Sequence, residues 1–324
     1  MARKIFKADD AEAKYIESSS AGKFKQDDAL FIAQELNYIR ARALEVSHAP
    51  LNSFRVFPQE TDVPAGAETA LTMVYDTVGM AKIVADYGDD LPRAEAVAAA
   101  IPSKVVTVAD SYGYNYVELE HARMANVNLE ARKALAARRG VDLKLNNIAW
   151  YGDAEHGITG FLNNANITNV TIPADGTGSS KKFEDKDADK IIRDMNSIIN
   201  AIPNATNGVE MADTVLLAPE VYDLIASMPK SQYSDRTILE FLQGAHPEVQ
   251  RWMKVGELTG AGTGATDMIV AGVFRPEYIR QENPVRFDQL PVQYRNLEYV
   301  VPCVSRTLGV TINVPLCFAS AYGV

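Results

Sequence analysis

Apolar residues recur at helical spacing in three places along the chain. In Ala29 to Val46 they fall at Leu30, Ala33, Leu36, Ile39, Ala43 and Val46, which predicts an amphipathic packing helix ended by Ala49-Pro50. Between about Asn128 or Leu129 and Trp150, Ala134, Ala137, Val141, Leu145 and Ile148 step by three and four and form one stripe. At 1.5 Å per residue this second helix is roughly 33 Å long. Its small residues Ala134, Ala136 and Ala137 allow a sheet or another helix to come close. Gly140 lies inside it, at a cost of about 1 kcal/mol relative to Ala, and predicts a slight bend or a close contact. Gly152 is the expected stop after Tyr151. The third helix is Lys186 to Ile202, with Ile191, Met195, Ile198, Ile199 and Ile202 on one side, broken by Pro203 to Gly208.

Elsewhere the pattern turns to alternation and β-branched residues. Thr69 to Ala85 reads as strand, with Asp86-Tyr87-Gly88-Asp89-Asp90 as a loop or hairpin tip. Residues 51 to 104 therefore predict an extended two-stranded excursion. Such a ribbon is marginal in water unless something covers it, which is a physical hint of self-assembly. Lys104 to Ala109 is a strand candidate. Tyr112, Tyr114 and Tyr116 then alternate on one face of an extended segment, as a core edge or as an interface; both readings stay open. Residues 164 to 185 form a loop with a short strand around Val170 to Ile172. Thr214 to Ala218 is a buried strand, Pro219 to Met228 and Thr237 to Gln243 are helices, and Met268 to Val273 is a strand, so about 188 to 272 has the alternation of a small α/β unit. From Tyr278 onward the chain is β-rich: Val285 to Phe287, Tyr294 to Arg306 and Val310 to Ala319, with Thr307-Leu308-Gly309 turning between the last two.

Composition narrows the function classes. The chain of 324 residues is 47% hydrophobic, enough for a large core. A net charge of −10 is a poor footprint for a dedicated nucleic-acid binder. Its apolar runs are too short for a transmembrane helix, and the basic N-terminus lacks the apolar stretch of a signal peptide. Residues 1 to 28 are polar and predict an arm with little structure of its own. The two cysteines, Cys303 and Cys317, are expected to be reduced thiols.

The search for chemistry assigns no catalytic, cofactor-binding or metal-ligating residue and no cofactor. Gly260-Ala261-Gly262-Thr263-Gly264 has a strand-like run after it rather than a helix, so it reads as a flexible loop and not a dinucleotide site. Gly176 to Lys182 has the wrong spacing for a phosphate loop. His48, His121, His156 and His246 share no metal-ligand spacing, and Glu155-His156 reads as a polar contact in the turn. No serine sits in a nucleophile elbow, and Asp89-Asp90 reads as a solvated tip.

Two features then combine. One is the order of parts: arm and helix, β excursion, long helix, small α/β unit, β-rich return. The other is the text Ala149-Trp150-Tyr151-Gly152-Asp153 followed by Gly157-Ile158-Thr159-Gly160-Phe161-Leu162-Asn163, with Arg306 to Val310 and Ile312 to Pro315 near the end. Together they resemble the major capsid proteins of tailed bacteriophages, whose HK97-like fold is shared by encapsulin shells. The resemblance implies an α+β chain divided into an N-terminal arm and helix (1–50), an extended E-loop (51–103), a peripheral domain (104–187 and 273–324) with a spine helix at about 128–151, and an axial α/β domain (188–272). It implies a non-enzymatic head protein that assembles with copies of itself, as pentamers and hexamers, into an icosahedral virion shell. That shell would enclose double-stranded DNA without sequence-specific binding, would form in the host cytoplasm with a scaffold, portal or decoration protein, and would involve no membrane.

A long N-terminal scaffolding domain, seen in some members, is expected to be absent, because the arm helix begins by about Ala29; a separate scaffold or a cleaved segment would replace it. Some members crosslink an E-loop lysine to an asparagine of a neighbour. Lys82 and Asn296 are the candidates here, but no local motif aligns them and the crosslink is not expected. The alternatives are an encapsulin-type nanocompartment shell and a cytosolic α/β enzyme built on 188 to 272.

Overall fold

A computed structural model describes residues 48–78, 95–124, 129–233 and 235–324. The expected arm (1 to 28), the helix at Ala29 to Val46, the tip Asp86 to Asp90 and Lys82 lie outside these residues. The part of the chain considered below, Pro50–Val324, forms one unit by itself.

The described chain opens with a single helical turn, α1 (Ser53–Val56), and a two-residue strand, β1 (Gln59–Glu60). Strands β2 (Thr69–Val78) and β3 (Glu95–Lys104) then pair antiparallel along their whole length, from Thr69↔Lys104 to Val78↔Glu95. Among the described residues, their sheet has these two strands and no other member. This is the expected excursion. After Val105 the chain re-enters the body as β4 (Val106–Asn115). The alternating tyrosine run stops there. Tyr116 opens a helix, α2 (Tyr116–Met124), and is exposed, so it shares no strand face with Tyr112 and Tyr114. Tyr114 is buried, and its ring stacks on Tyr299 with centroids 5.4 Å apart.

The long helix α3 (Leu129–Tyr151) has the expected bounds. Ala137, Val141, Leu145 and Ile148 are buried as one stripe, joined at the end by Ala149 and Trp150. A β-carbon at Gly140 would stand 3.2 Å from the Asp110 carboxylate on β4, so this glycine marks a close approach of helix to strand. Short strands β5 (Gly152–Asp153), β6 (Ile158–Thr159) and β7 (Thr168–Asn169) follow, β7 lying slightly before the expected Val170 to Ile172.

Helix α4 (Ala188–Ala205) buries Ile191, Met195, Ile198, Ile199 and Ile202, as its pattern requires. Full burial of an aliphatic side chain contributes about 2 kcal/mol before entropy is counted. The expected break at Pro203 is corrected: the helix runs through it to Ala205. Proline there removes one N–H near the end of the helix. Beyond it Thr206 donates both its N–H and its hydroxyl to the Ile202 carbonyl.

Next come β8 (Thr214–Leu217), α5 (Pro219–Ser227), α6 (Ile238–Ala245), β9 (Arg251–Lys254) and β10 (Met268–Gly272). Thr237 caps α6 by accepting from the Glu240 N–H. Of these elements, β9 has no counterpart in the sequence reading.

The C-terminal strands are β11 (Ile279–Glu282), β12 (Val285–Gln289), β13 (Gln293–Arg295), β14 (Glu298–Thr307), β15 (Gly309–Ile312) and β16 (Phe318–Tyr322). The expected single strand Tyr294 to Arg306 is a hairpin instead. Arg295 pairs with Glu298 across Asn296-Leu297, and Asn296 adopts φ 57°, a left-handed conformation that asparagine tolerates. Thr307-Leu308-Gly309 does not return a hairpin either: β14 pairs with β4, β12 and β13, whereas β15 pairs with β11 in another sheet.

The five-stranded sheet has the order β7-β16-β10-β8-β9. Its middle three strands are antiparallel to their neighbours in that trio, while β9 joins β8 and β7 joins β16 in parallel. The α/β stretch at 188 to 272 thus completes its sheet with β16 and β7, both distant in sequence. One apolar core runs from Phe57 and Trp150 through Ile198 to Leu216 and Phe318.

Candidate functional site

The end of α3 is built as a joint. Its last carbonyls lack helical partners, and the chain returns to supply them. Phe161 N–H donates to Ala149 O at 3.0 Å and Leu162 N–H to Trp150 O at 2.9 Å, while the Asn163 amide donates to Tyr151 O. The return passes so close that a β-carbon at Gly160 would lie 2.2 Å from Gly152 N. Gly152 itself has φ +71°, so both glycines are required by the backbone. Around the crossing, Phe57, Trp150, Phe161, Phe274 and Phe318 pack ring to ring with centroids 4.8 to 6.1 Å apart.

A polar hub sits beside the rings. The Glu257 carboxylate accepts from the Asn52 amide at 2.6 Å and from the Asn146 amide at 2.9 Å, and Asn146 accepts from Ser53 N–H at 2.9 Å. Tyr151 donates its hydroxyl to Glu257 O. Burial pushes the Tyr151 phenol above its ordinary range, with the Glu257 charge adding to the effect. Glu257 carries no sequence signal, because its three partners are far from it along the chain.

The ribbon β2–β3 is the opposite kind of object. On its described near half, Leu71 and Met73 are 65% and 56% exposed, two apolar side chains on one face of a strand that, among the described residues, pairs only with β3. Contacts with the body gather at its root, where Val105 N–H donates to Glu68 O, and where Arg280 and Arg306 reach across.

Titratable groups elsewhere are engaged in structure. Lys186 is fully buried, with Asp194 at 2.6 Å, Asp175 at 3.3 Å and the Pro173 carbonyl at 2.8 Å. Arg193 bonds both of these aspartates. Burial raises the Asp175 carboxyl, but Arg193 and Lys186 outweigh it and hold the group below its ordinary value. Asp153, Glu155 and His156 bring one donor atom each within 4.8 Å of one another. All three sit on the turn after α3, and Asp153 is already bonded by His156 at 3.0 Å and Lys144 at 3.2 Å, which holds its carboxyl down at about 2. The polar contact expected of Glu155-His156 is thus made by His156 with Asp153.

Cys303 and Cys317 are free and buried. Burial raises both thiols, Cys317 to about 11, so neither is a ready nucleophile. The Gly260 to Gly264 segment is a loop leading into β10, as expected.

Residues 79–324 match the family model described as major capsid protein. The chain belongs to the major capsid protein family. The family is a structural one and not an enzyme family, and its members build the shell of a phage virion from many copies of themselves. No curated protein sequence matches the chain.

Solved structures agree at the level of fold. The capsid of Myoviridae phage XM1 superposes with a TM-score of 0.75 at 16% identity, covering 90% of this chain and 98% of that one. A chain of Mycobacterium phage Bobi gives 0.61 at 15%, covering 90% and 96%. The capsid of a native GTA particle gives 0.61 at 9%, covering 95% and 98%. The α+β fold is therefore HK97-like. In this major capsid protein the joint at the end of α3 ties that helix to the sheet that carries β16.

Proposed function

We propose that this chain is the subunit of an icosahedral tailed-phage head that encloses double-stranded DNA, with pentamers and hexamers as its building units. In this reading the ribbon is the E-loop and lies on a neighbouring copy. Residues 104–187 and 273–324 form the peripheral part, and 188–272 form the axial part around the five-fold and six-fold axes, its sheet extended by β16 and β7. The observation that carries the reading is the ribbon itself. Among the described residues it is two strands wide and pairs with nothing else, and it exposes Leu71 and Met73. A two-stranded sheet needs a further apolar surface to be stable, and in a shell each neighbour supplies one.

The net charge of −10 fits enclosure of DNA without a tight or sequence-specific grip. A scaffold, portal or decoration protein and assembly in the host cytoplasm belong to the same proposal. The test is expression of the chain alone and with its neighbouring genes, followed by electron microscopy and sedimentation. Closed shells or capsomers are expected. A small soluble oligomer under every salt and scaffold condition overturns the reading.

A further inference from the structure

The root of the ribbon is held by two arginines from two different sheets. Arg306, on β14, donates one guanidinium nitrogen to Ala65 O and another to Ala67 O, the latter at 2.8 Å. Both carbonyls lie just before β2. Arg280, on β11, donates to the Thr72 hydroxyl on β2 at 3.2 Å, pairs with Glu60 on β1 at 3.3 Å, and also bonds Glu282 on its own strand. Glu282 is only 5% exposed, so this guanidinium is fixed from behind. Arg306 alternates with Ser305 and Thr307, which are buried, so its own strand is anchored on both sides of it. Planar guanidinium forks hold two acceptors in a fixed relation, which a single point charge does not do.

We propose that Arg306 and Arg280 are positioning residues that set the direction in which the ribbon leaves the subunit, and so set where it meets the neighbouring copy. The inference rests on the shell reading above. The mechanical argument is leverage. Ten strand residues at about 3.3 Å each make an arm of roughly 33 Å, so a tilt of about 10° at the root moves the far end of the paired strands by about 6 Å. A displacement of that size is larger than a packed interface absorbs. The strands themselves do not resist such a tilt, because among the described residues their ladder bonds run only to each other. The arginines bond the root without being part of the ladder, so their removal leaves the ribbon paired and frees its angle.

The test uses the full chain with spin labels on cysteines introduced at Met73 and Val209. Both positions are exposed, and the native cysteines are buried. The label-to-label distance distribution is measured in unassembled subunits, and shell diameter is measured by electron microscopy on the unlabelled chain, with Met73 and Val209 native. The background with Arg306 and Arg280 intact is expected to give one narrow distance. Arg306→Ala and Arg280→Ala are expected to broaden it or shift it by several ångströms, with the melting temperature nearly unchanged and the shells becoming heterogeneous in size or failing to close. Arg306→Lys, which keeps the charge and loses the fork, should fall between.

Unchanged distances together with uniform shells overturn the proposal. So does a broadened distance that comes only with a matching loss of global stability, because the arginines would then be ordinary fold residues. If the unsubstituted chain forms no shell at all, the shell reading fails, and the distance measurement on subunits still decides whether the two arginines hold the ribbon.

Discussion

The joint after α3 and the ribbon before β4 are built on opposite principles. At the joint the main-chain demands are met inside the chain. The carbonyls at the end of α3 find N–H groups at Phe161 and Leu162, the glycines admit the crossing, and five aromatic rings close over it. In the ribbon the ladder is complete but the described apolar side chains Leu71 and Met73 face outward. A region satisfied internally stabilises the subunit. A region satisfied only by another copy stabilises the assembly. The two should therefore respond differently to substitution, and the contrast can be broken at either end.

The largest effect on the subunit is expected at Gly160. Valine there would drive its side chain into the Gly152 backbone, and a loss above about 4 kcal/mol is expected, read as insoluble protein or a missing thermal transition. Normal folding of that variant would mean that the crossing is not the rigid element described here. Val141→Asp comes next, since Val141 is 1% exposed on the apolar stripe of α3, and the charge should cost several kcal/mol. Asp194→Ala strips the buried Lys186 of its nearest partner and is expected to cost about 3 kcal/mol in chemical denaturation.

At the ribbon the same measurements should barely move. Leu71→Asp with Met73→Asp, or deletion of Asp86 to Asp90, is expected to leave the subunit folded while shell formation is lost. A subunit that unfolds on either change would place the ribbon with the joint and erase the contrast. The smallest effect concerns acid. The bonds from His156 and then Lys144 lower the Asp153 carboxyl to about 2 against an ordinary value of about 3.9. A lowered carboxylate contributes stability that is fully present above its unfolded value and fades as pH falls toward its folded one. Asp153→Asn should thus melt slightly below wild type at pH 7, and the gap should close between about pH 4 and pH 2.

Much of this was legible in the sequence where one element's periodicity decides it. The stripe of α3, the isoleucine face of α4, the buried β8 and the two-stranded excursion all follow from local spacing, and Gly152 marks the helix end because a left-handed residue is needed there. The resemblance carried by the Ala149 to Asn163 text and the order of parts points to the family that residues 79–324 match. What local spacing missed depends on partners. Nothing in Arg251 to Lys254 announces a strand until β8 lies beside it. The hairpin at Asn296 carries no glycine or proline to mark it, because asparagine itself takes the left-handed conformation that reverses the chain. Tyr116 looks like the third member of a strand face, yet its N–H is taken by Leu297 O as the chain turns helical.

The sequence by itself determined which faces are apolar, where the long helix stops, and that two strands would stand apart from the rest. These are properties of neighbours three, four or two residues away, and a chain carries them before it folds. Only the tertiary structure decided that β16 and β7 complete the sheet of the 188–272 stretch, that Glu257 gathers Asn52, Asn146 and Tyr151, and that Arg280 and Arg306 hold the ribbon root. Each of these joins residues dozens to hundreds of positions apart, and such pairings are fixed by which surfaces meet when the core closes.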